Sequence, residues 1–493
     1  MHHVPVAERI PWLRAQLTSI SDARFVVVED GGGQTCTLIY LATIIDHQFV
    51  QQFIVSSVNS ADKSDAAAWK AHVQRMLSAS ASATQDAQHA LSSLLAGCVL
   101  LVFETEADML LVPIRSVDKR AAAEAENEPV VRGPKEAFVE DFQTNIGLIR
   151  KRIKHAGLKL EEQQLGRYSN TNIMLAYIDG IADPKVIAEM KKRMSYIDMD
   201  GVLASSYIEE FIEDNPLSPF PQVQYTERPD IMAAALLEGR IGIVVDGTPM
   251  ALLVPVTLYM FLQSAEDYYQ RYFAATWIRW IRYLFLMIAF FLPSVYIAIT
   301  TFHPEMIPPN LLLSVAAARE SVPFPAIVEA FIMEISFEAI REAGLRIPKP
   351  LGQTVSIIGA LIIGQAAVQA GIVSAPLLIV VSITGVASFL IPHFDLALSI
   401  RLLRFPVMIL AGTLGLYGIL ISIFAIYMHL VNLHSFGTPY LSPTAPIRFG
   451  DWKDVLVRVP WWMMRKRPNL GEGGAGERMQ PTRRLNKQEE REW

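Results

Sequence analysis

The sequence predicts an α/β soluble region made of two small subdomains, followed by an α-helical polytopic membrane domain. Three observations lead there. The 493 residues are 52% hydrophobic and only 19% charged, against about 25% charged in soluble globular proteins, and the mean hydropathy is +0.29. The apolar excess is concentrated after about Trp277, where uncharged runs reach the roughly 20 helical residues that a hydrocarbon core demands. Before that point, short β-branched and aliphatic runs alternate with Gly, Pro and Asp signals, as strands and hairpins do. A net charge of −6 and a pI near 6.0 exclude a strongly basic nucleic-acid binder. The composition excludes a disordered or collagen-like chain.

Residues 1–118 form the first expected subdomain. Phe25–Val28 and Thr35–Leu41 read as strands joined across Gly31-Gly32-Gly33. No Lys-Ser/Thr follows these glycines, so they read as a hairpin connection and not as a phosphate loop. Trp69–Met76 reads as a helix, and Cys98–Phe103 with Met109–Ile114 as paired strands. Residues 119–160 are a linker and a basic helix, Asp141–Ala156. Its Arg150, Lys151, Arg152 and Lys154 suit the negative end of a helix dipole. Residues 161–275 form the second subdomain. Ile173–Ile178 is a strand. A helix starts at Pro184, since proline is at home in the first helical turn. Ile208–Asp214 is a short acidic helix, and Ile241–Val245 and Met250–Val254 join through Asp246-Gly247-Thr248. Cys36 and Cys98 are the only cysteines, too few for a disulfide framework. Met1–Trp12 has no long apolar run, so insertion into a membrane is expected to be directed by internal segments.

Residues 276–435 form the expected transmembrane domain, with four spans plus a charged helix. The spans are Tyr283–Phe302, Thr354–Val373, Leu377–Ile391 and Phe405–Val431. Arg271, Arg279 and Arg282 precede the first. Arg448, Lys453, Arg458, Arg465, Lys466 and Arg467 follow the last, in a C-terminal tail over residues 436–493. Basic residues mark the cytoplasmic side, so both ends are expected there and the number of crossings is even. The charged helix, residues 323–344, contains Glu329, Glu334, Glu338, Arg341 and Glu342. If it spans, the count becomes five and the ends disagree. Either it lies at the interface, re-enters or lines water, or it spans and the pair over Thr354–Ile391 is not two full crossings.

Ionisable residues in apolar helices are costly and face the protein interior or water. Glu334, Glu338, Arg341 and Glu342 share one helical face. One reading takes Glu329, Glu334 and Glu338, with Gln365 and Gln369, as candidate ion-path groups. The other is an amphipathic helix with its carboxylates in water, and for the glutamines interhelical packing. Gly359, Gly364 and Gly371 are candidate helix-packing positions. Trp461 and Trp462, followed by Arg465, Lys466 and Arg467, are expected to anchor the membrane interface and bind lipid. The histidines are scattered, and the sequence contains no HExxH, GxSxG, Walker A or paired GxGxxG pattern. No catalytic residue, cofactor, metal or nucleic-acid partner is therefore expected. The Gly471–Gly476 segment reads as a flexible linker.

Six stretches carry a family resemblance. They are VVRGPKEAFVEDFQTNIGLIRKRIK (Val130–Lys154), YIEEFIEDNPLSPFPQVQYTERPD (Tyr207–Asp230), LLEGRIGIVVDGTPMALLVPV (Leu236–Val256), FLQSAEDYYQRY (Phe261–Tyr272), the run from Pro323 to Ser374 that begins PFPAIVEAFIMEISFEAIREAG, and SFGTPYLSP (Ser435–Pro443). Together the chain resembles the A subunits of GerA-type spore germinant receptors, a group that includes relatives of the stage V sporulation protein AF. The resemblance implies a cytoplasmic N-terminal portion and a polytopic portion in the spore inner membrane. It also implies a complex with a transporter-like B subunit and a lipoprotein C subunit, and a homo-oligomer acting as a nutrient-gated cation channel. Two alternatives stay open: the branch that amplifies ion release during germination, and a non-conducting signalling or scaffold subunit.

Overall fold

The computed structural model describes residues 4–29, 35–45, 50, 52, 70, 74–75, 81–104, 106–114, 124–346, 364–469 and 476–479. The expectations for Gly31–Gly33, most of Trp69–Met76, Thr354–Ile363 and Gly471–Ala475 lie outside them. The chain forms two compact units. One comprises Met1–Asp214, Val223–Pro255 and Lys466–Gln480. The other comprises Asn215–Gln222, Val256–Arg465 and Pro481–Trp493.

The first unit is α/β and holds two five-stranded antiparallel sheets. In the first, α1 (Arg9–Gln16) leads into β1 (Ala23–Glu29) and β2 (Thr35–Leu41). Further along the chain come β3 (Ser82–Thr84), α2 (Ala87–Leu95), β4 (Cys98–Phe103) and β5 (Met109–Pro113). The spatial order is β1-β2-β4-β5-β3. Asp86 caps α2 by accepting the Gln88 N–H. Both faces of the central strands are covered: Leu38, Leu101 and Phe103 belong to one cluster, while Ile39, Leu41 and Leu100 pack with Leu13 and Leu94 of the helices. Burial on two faces explains why β2 and β4 read as continuous apolar runs.

The second sheet repeats this plan. The helix α3 (Phe142–Arg152) precedes β6 (Leu158–Leu165) and β7 (Thr171–Ile178). The insertion holds α4 (Pro184–Ser195) and α5 (Ser205–Ile212). Then come β8 (Gln224–Thr226), α6 (Pro229–Leu237), β9 (Ile241–Val245) and β10 (Ala251–Val254). The order β6-β7-β9-β10-β8 is that of the first sheet, with a helix again between the third and fourth strands. The unit is thus a tandem of one topology. The two sheets meet at their outer strands: Ser21 N–H donates to Leu160 O at 3.0 Å, and Leu160 N–H returns to Ser19 O at 3.0 Å. Arg150 of α3 is fully buried and bonds Asp22 at 2.9 Å, and Asp22 also accepts the Thr43 hydroxyl at 2.7 Å.

Within residues 124–134, the described part of the stretch expected to be linker, Glu128 and its partner Glu227 hold the chain against β8 and α6. Glu128 accepts the Thr226 hydroxyl at 2.6 Å and the Glu227 N–H at 3.1 Å. Glu227 in turn accepts the Glu128 N–H at 2.8 Å. Arg228, fully buried, bonds Asp230 and Pro134 O, each at 2.8 Å. The segment 466–479 lies against the end of α6. There Arg467 donates to Leu237 O and Arg478 pairs with Glu238, cations placed at the negative end of a helix.

The second unit is helical. It contains α7 (Tyr272–Phe302), α8 (Pro309–Arg319), α9 (Ala326–Arg346), a short helix over residues 364–369, α10 (Ala375–Phe389), α11 (Phe394–Leu414) and α12 (Leu416–Asn432). α7 packs against α9, α10, α11 and α12. Its second and third turns are tied to Asp267, which accepts from Arg279 at 2.9 Å and from Arg282 at 3.0 Å.

The apolar run Phe405–Val431, expected as one span, is divided. Gly415 adopts φ +63°, a region that L side chains avoid, and the chain reverses there. Ala411 packs with Ile419, while Leu396 and Ile400 share a cluster with Leu430. α11 and α12 therefore form an antiparallel hairpin. Among the described residues, Tyr272–Phe302 is long and apolar enough to cross a membrane, and Ala375–Phe389 and Leu416–Asn432 are shorter apolar helices. Outward-facing positions of these two are large and apolar: Ile379, Ile383, Val386 and Phe389 on α10, and Leu420, Ile421, Phe424 and Tyr427 on α12.

Candidate functional site: a carboxylate–guanidinium array

The charges of α9 do not stand alone. Glu334, 2% exposed, accepts from Arg404 of α11 at 2.5 Å. One turn further, Glu338 accepts from Arg401 at 2.9 Å and lies 4.0 Å from Arg341. The order 334→338 meets 404→401, so α9 and α11 run antiparallel along the array. Arg341 also donates to the Ser388 hydroxyl of α10 at 2.7 Å and lies over the Phe389 ring at 4.3 Å. Three helices thus converge on alternating charge, an arrangement that lets ionised groups sit in an apolar unit.

Glu329 is separate. It is fully buried, accepts from Arg319 of α8 at 3.3 Å, and takes the Ser374 N–H at 2.9 Å. Ser374 is the N-cap of α10, so Glu329 places a negative charge at the positive end of that helix. Gln365 and Gln369 are exposed and lie outside the array. Gly364 approaches Leu378 so closely that a Cβ would fall 2.9 Å from its side chain. Gly371, at φ +64°, ends the short helix: Ile372 N–H reaches Ala367 O and Gly371 N–H reaches Val368 O, the Schellman pattern that calls for glycine. Gly359 lies outside the described residues. Trp461 and Trp462 are half-exposed and pack near Tyr268 and Tyr272. Arg465 and Lys466 are exposed, while Arg467 is engaged by Leu237 O.

Sequence reasoning missed Arg401, Arg404 and Arg319. The available signal was their spacing: arginines three apart on one apolar helix complement glutamates four apart on another. It also missed Gly385 and Gly412, where a Cβ would fall 2.6 Å from Phe337 and 2.3 Å from Ile327. These are the close approaches of α10 and α11 to α9. Among the described residues, no group of three or more His, Cys, Asp or Glu is placed to hold a metal.

Comparison with known proteins shows the family of the chain. The family model described as Bacillus/Clostridium GerA spore germination protein matches residues 12–470. The membrane protein YfkQ of Bacillus subtilis (strain 168) is 46% identical over 93% of this chain and 90% of its own length. Spore germination protein KA of the same organism is 48% identical over 76% of this chain and 69% of its own. Spore germination protein GerLA of Bacillus cereus is 36% identical over 92% and 93%. A solved structure, the N-terminal domain of the A subunit of the Bacillus megaterium spore germinant receptor GerK3, is 31% identical, with a TM-score of 0.39 over 50% of this chain and 92% of that one. The chain belongs to the GerA spore germination protein family of Bacillus and Clostridium.

Proposed function

We propose that this chain is the A subunit of a spore nutrient germinant receptor. In this reading its helical unit is a multi-pass domain of the spore inner membrane with both termini cytoplasmic. Copies of the chain associate into a nutrient-gated cation channel that works with a transporter-like B subunit and a lipoprotein C subunit. The observation that carries the reading is the alternating array Glu334–Arg404 and Glu338–Arg401 inside helices whose outward faces are apolar. Paired charges in such helices are expensive to retain and mark ion or proton paths. The family membership and the relatives named as spore germination proteins support the A-subunit part. The glutamates are candidate cation-attracting groups once their arginines are displaced.

The test is cation efflux from liposomes holding the full chain with its receptor partners, with nutrient added outside. Glu334→Gln and Glu338→Gln are expected to lower the flux and its cation-over-anion preference. Unchanged flux and selectivity would make the array structural and favour a non-conducting subunit.

A further inference from the structure

One side chain in the helical unit is left half-used. Arg404 is 3% exposed. Its Nη1 bonds Glu334 at 2.5 Å, but its Nε and Nη2 are buried without a hydrogen-bond partner. These two N–H groups form one edge of the guanidinium plane, the fork that takes two oxygens of a carboxylate or phosphate at once. Nearby, Arg341 Nε is a third buried donor without a partner, and Arg341 lies within electrostatic reach of both Arg401 and Arg404. Glu334 Oε1 is a buried acceptor without one. The local charge is also uneven: three arginines face two carboxylates. The next carboxylate, Glu342, is exposed, and no Asp or Glu occurs between it and Asp395.

An arginine fork without a hydrogen-bond partner, a further such donor, one such acceptor and a surplus positive charge describe a complementary ligand. It needs two anionic oxygens for the fork and one hydroxyl to donate to Glu334 Oε1. We propose that Arg404, Arg341 and Glu334 form a binding site for a small phosphate-type oxyanion bearing a hydroxyl. The protonated phosphate group is the simplest such ligand, and the same chemistry is carried by free inorganic phosphate and by the monoester headgroup of phosphatidic acid. Acetate matches the fork but has no donor for Glu334 and binds more weakly. The site rests on these side chains alone, whether or not the helical unit conducts ions.

The experiment uses the full chain in phosphatidylcholine nanodiscs and reads amide hydrogen exchange across Ala326–Arg346 and Phe394–Leu414. In one arm inorganic phosphate is titrated in. In the other the nanodiscs contain phosphatidic acid and no free phosphate. Saturable protection of both helices is expected in at least one arm, and the arm that shows it identifies the source. Acetate should protect less at equal concentration. Lysine has no fork, so Arg404→Lys should weaken binding by about tenfold or more, and Arg341→Lys should weaken it as well. Arg14→Lys, in the other unit, should leave it unchanged. Absence of saturable protection in both arms overturns the proposal on the unmutated protein, whatever the variants do. So does phosphate binding of wild-type strength in a folded Arg404→Lys protein.

Discussion

Glu128 shows how one side chain makes a fold pH-dependent. It is buried against Glu227 while accepting the Thr226 hydroxyl and the Glu227 N–H. Burial, joined by the Glu227 charge, raises its carboxyl to about 7 against the two hydrogen bonds and the Arg228 charge, which hold it down. A raised carboxyl binds its proton more tightly in the folded state than in the unfolded chain. Its contribution is therefore complete below the ordinary value of 4.5 and is lost as pH rises towards 7. A shift of this size corresponds to roughly 3 kcal/mol. The melting temperature of the α/β unit in the full chain should fall between about pH 5 and pH 8, and Glu128→Gln, which mimics the protonated acid, should flatten that slope. An unchanged slope in the variant would assign the pH dependence elsewhere. Glu334 obeys a different rule, because its partner is a buried arginine. Glu334→Gln strands the Arg404 charge and should cost about 3–5 kcal/mol, whereas replacing both by Met should cost much less. Thermal unfolding of Glu334→Met, Arg404→Met and the double variant in detergent checks this; additivity within about 0.5 kcal/mol would mean that the pair is not coupled.

At the scale of elements, what was legible in the sequence was whatever follows from local chemistry. The strands Thr35–Leu41, Cys98–Phe103 and Ile241–Val245 announce themselves as short apolar runs bounded by turn residues, and Asp141 and Asp183 cap the helices that follow them. The shared strand order of the two sheets was not legible, because order is set by long-range pairing such as β2 with β4. The array was half legible. The glutamates stand out as charges in an apolar helix, but their arginines sit 63 and 70 positions away, and nothing local links them. The apolar run Phe405–Val431 misled for a physical reason: hydrophobicity reports the solvent of a helix, while a single backbone angle at Gly415 decides where it ends. An alanine there would be forced to φ +63° with its Cβ 2.9 Å from His303. Gly415→Ala should therefore destabilise the helical unit by about 1–3 kcal/mol. Gly450→Ala, where nothing lies within 4 Å of the added carbon, should stay within about 0.5 kcal/mol. Equal melting temperatures for the two variants would refute the hairpin's dependence on that angle.

For the molecule as a whole, the question is how the helical unit meets its solvent. α7 has 31 residues, or about 46 Å of helix, more than the roughly 30 Å of a hydrocarbon core. α9 and α11 hold charges that oppose each other across the pairs at Glu334 and Glu338, so these carboxylates enter an apolar medium already paired. The exposed residues of α10 and α12 include Ile379, Ile383, Phe389, Leu420 and Phe424, the kind of apolar surface that marks a contact with lipid or with another protein. Under the proposed topology the α/β unit and the segment after α12 share the cytoplasmic side, and the turn after α7 lies on the other. Single cysteines at Ser206, Glu305 and Gly450, all exposed positions, report this directly. The native background is manageable: burial pushes the Cys36 thiol up to about 12 and leaves it unreactive, and Cys98→Ser removes the other thiol. In sealed vesicles of defined orientation, a membrane-impermeant maleimide should label Ser206→Cys and Gly450→Cys from one side and Glu305→Cys from the opposite side. Labelling of Ser206→Cys and Gly450→Cys from different sides would require an odd number of crossings. Labelling of all three from one side would mean that α7 does not cross, and the helical unit would then lie on the membrane without spanning it.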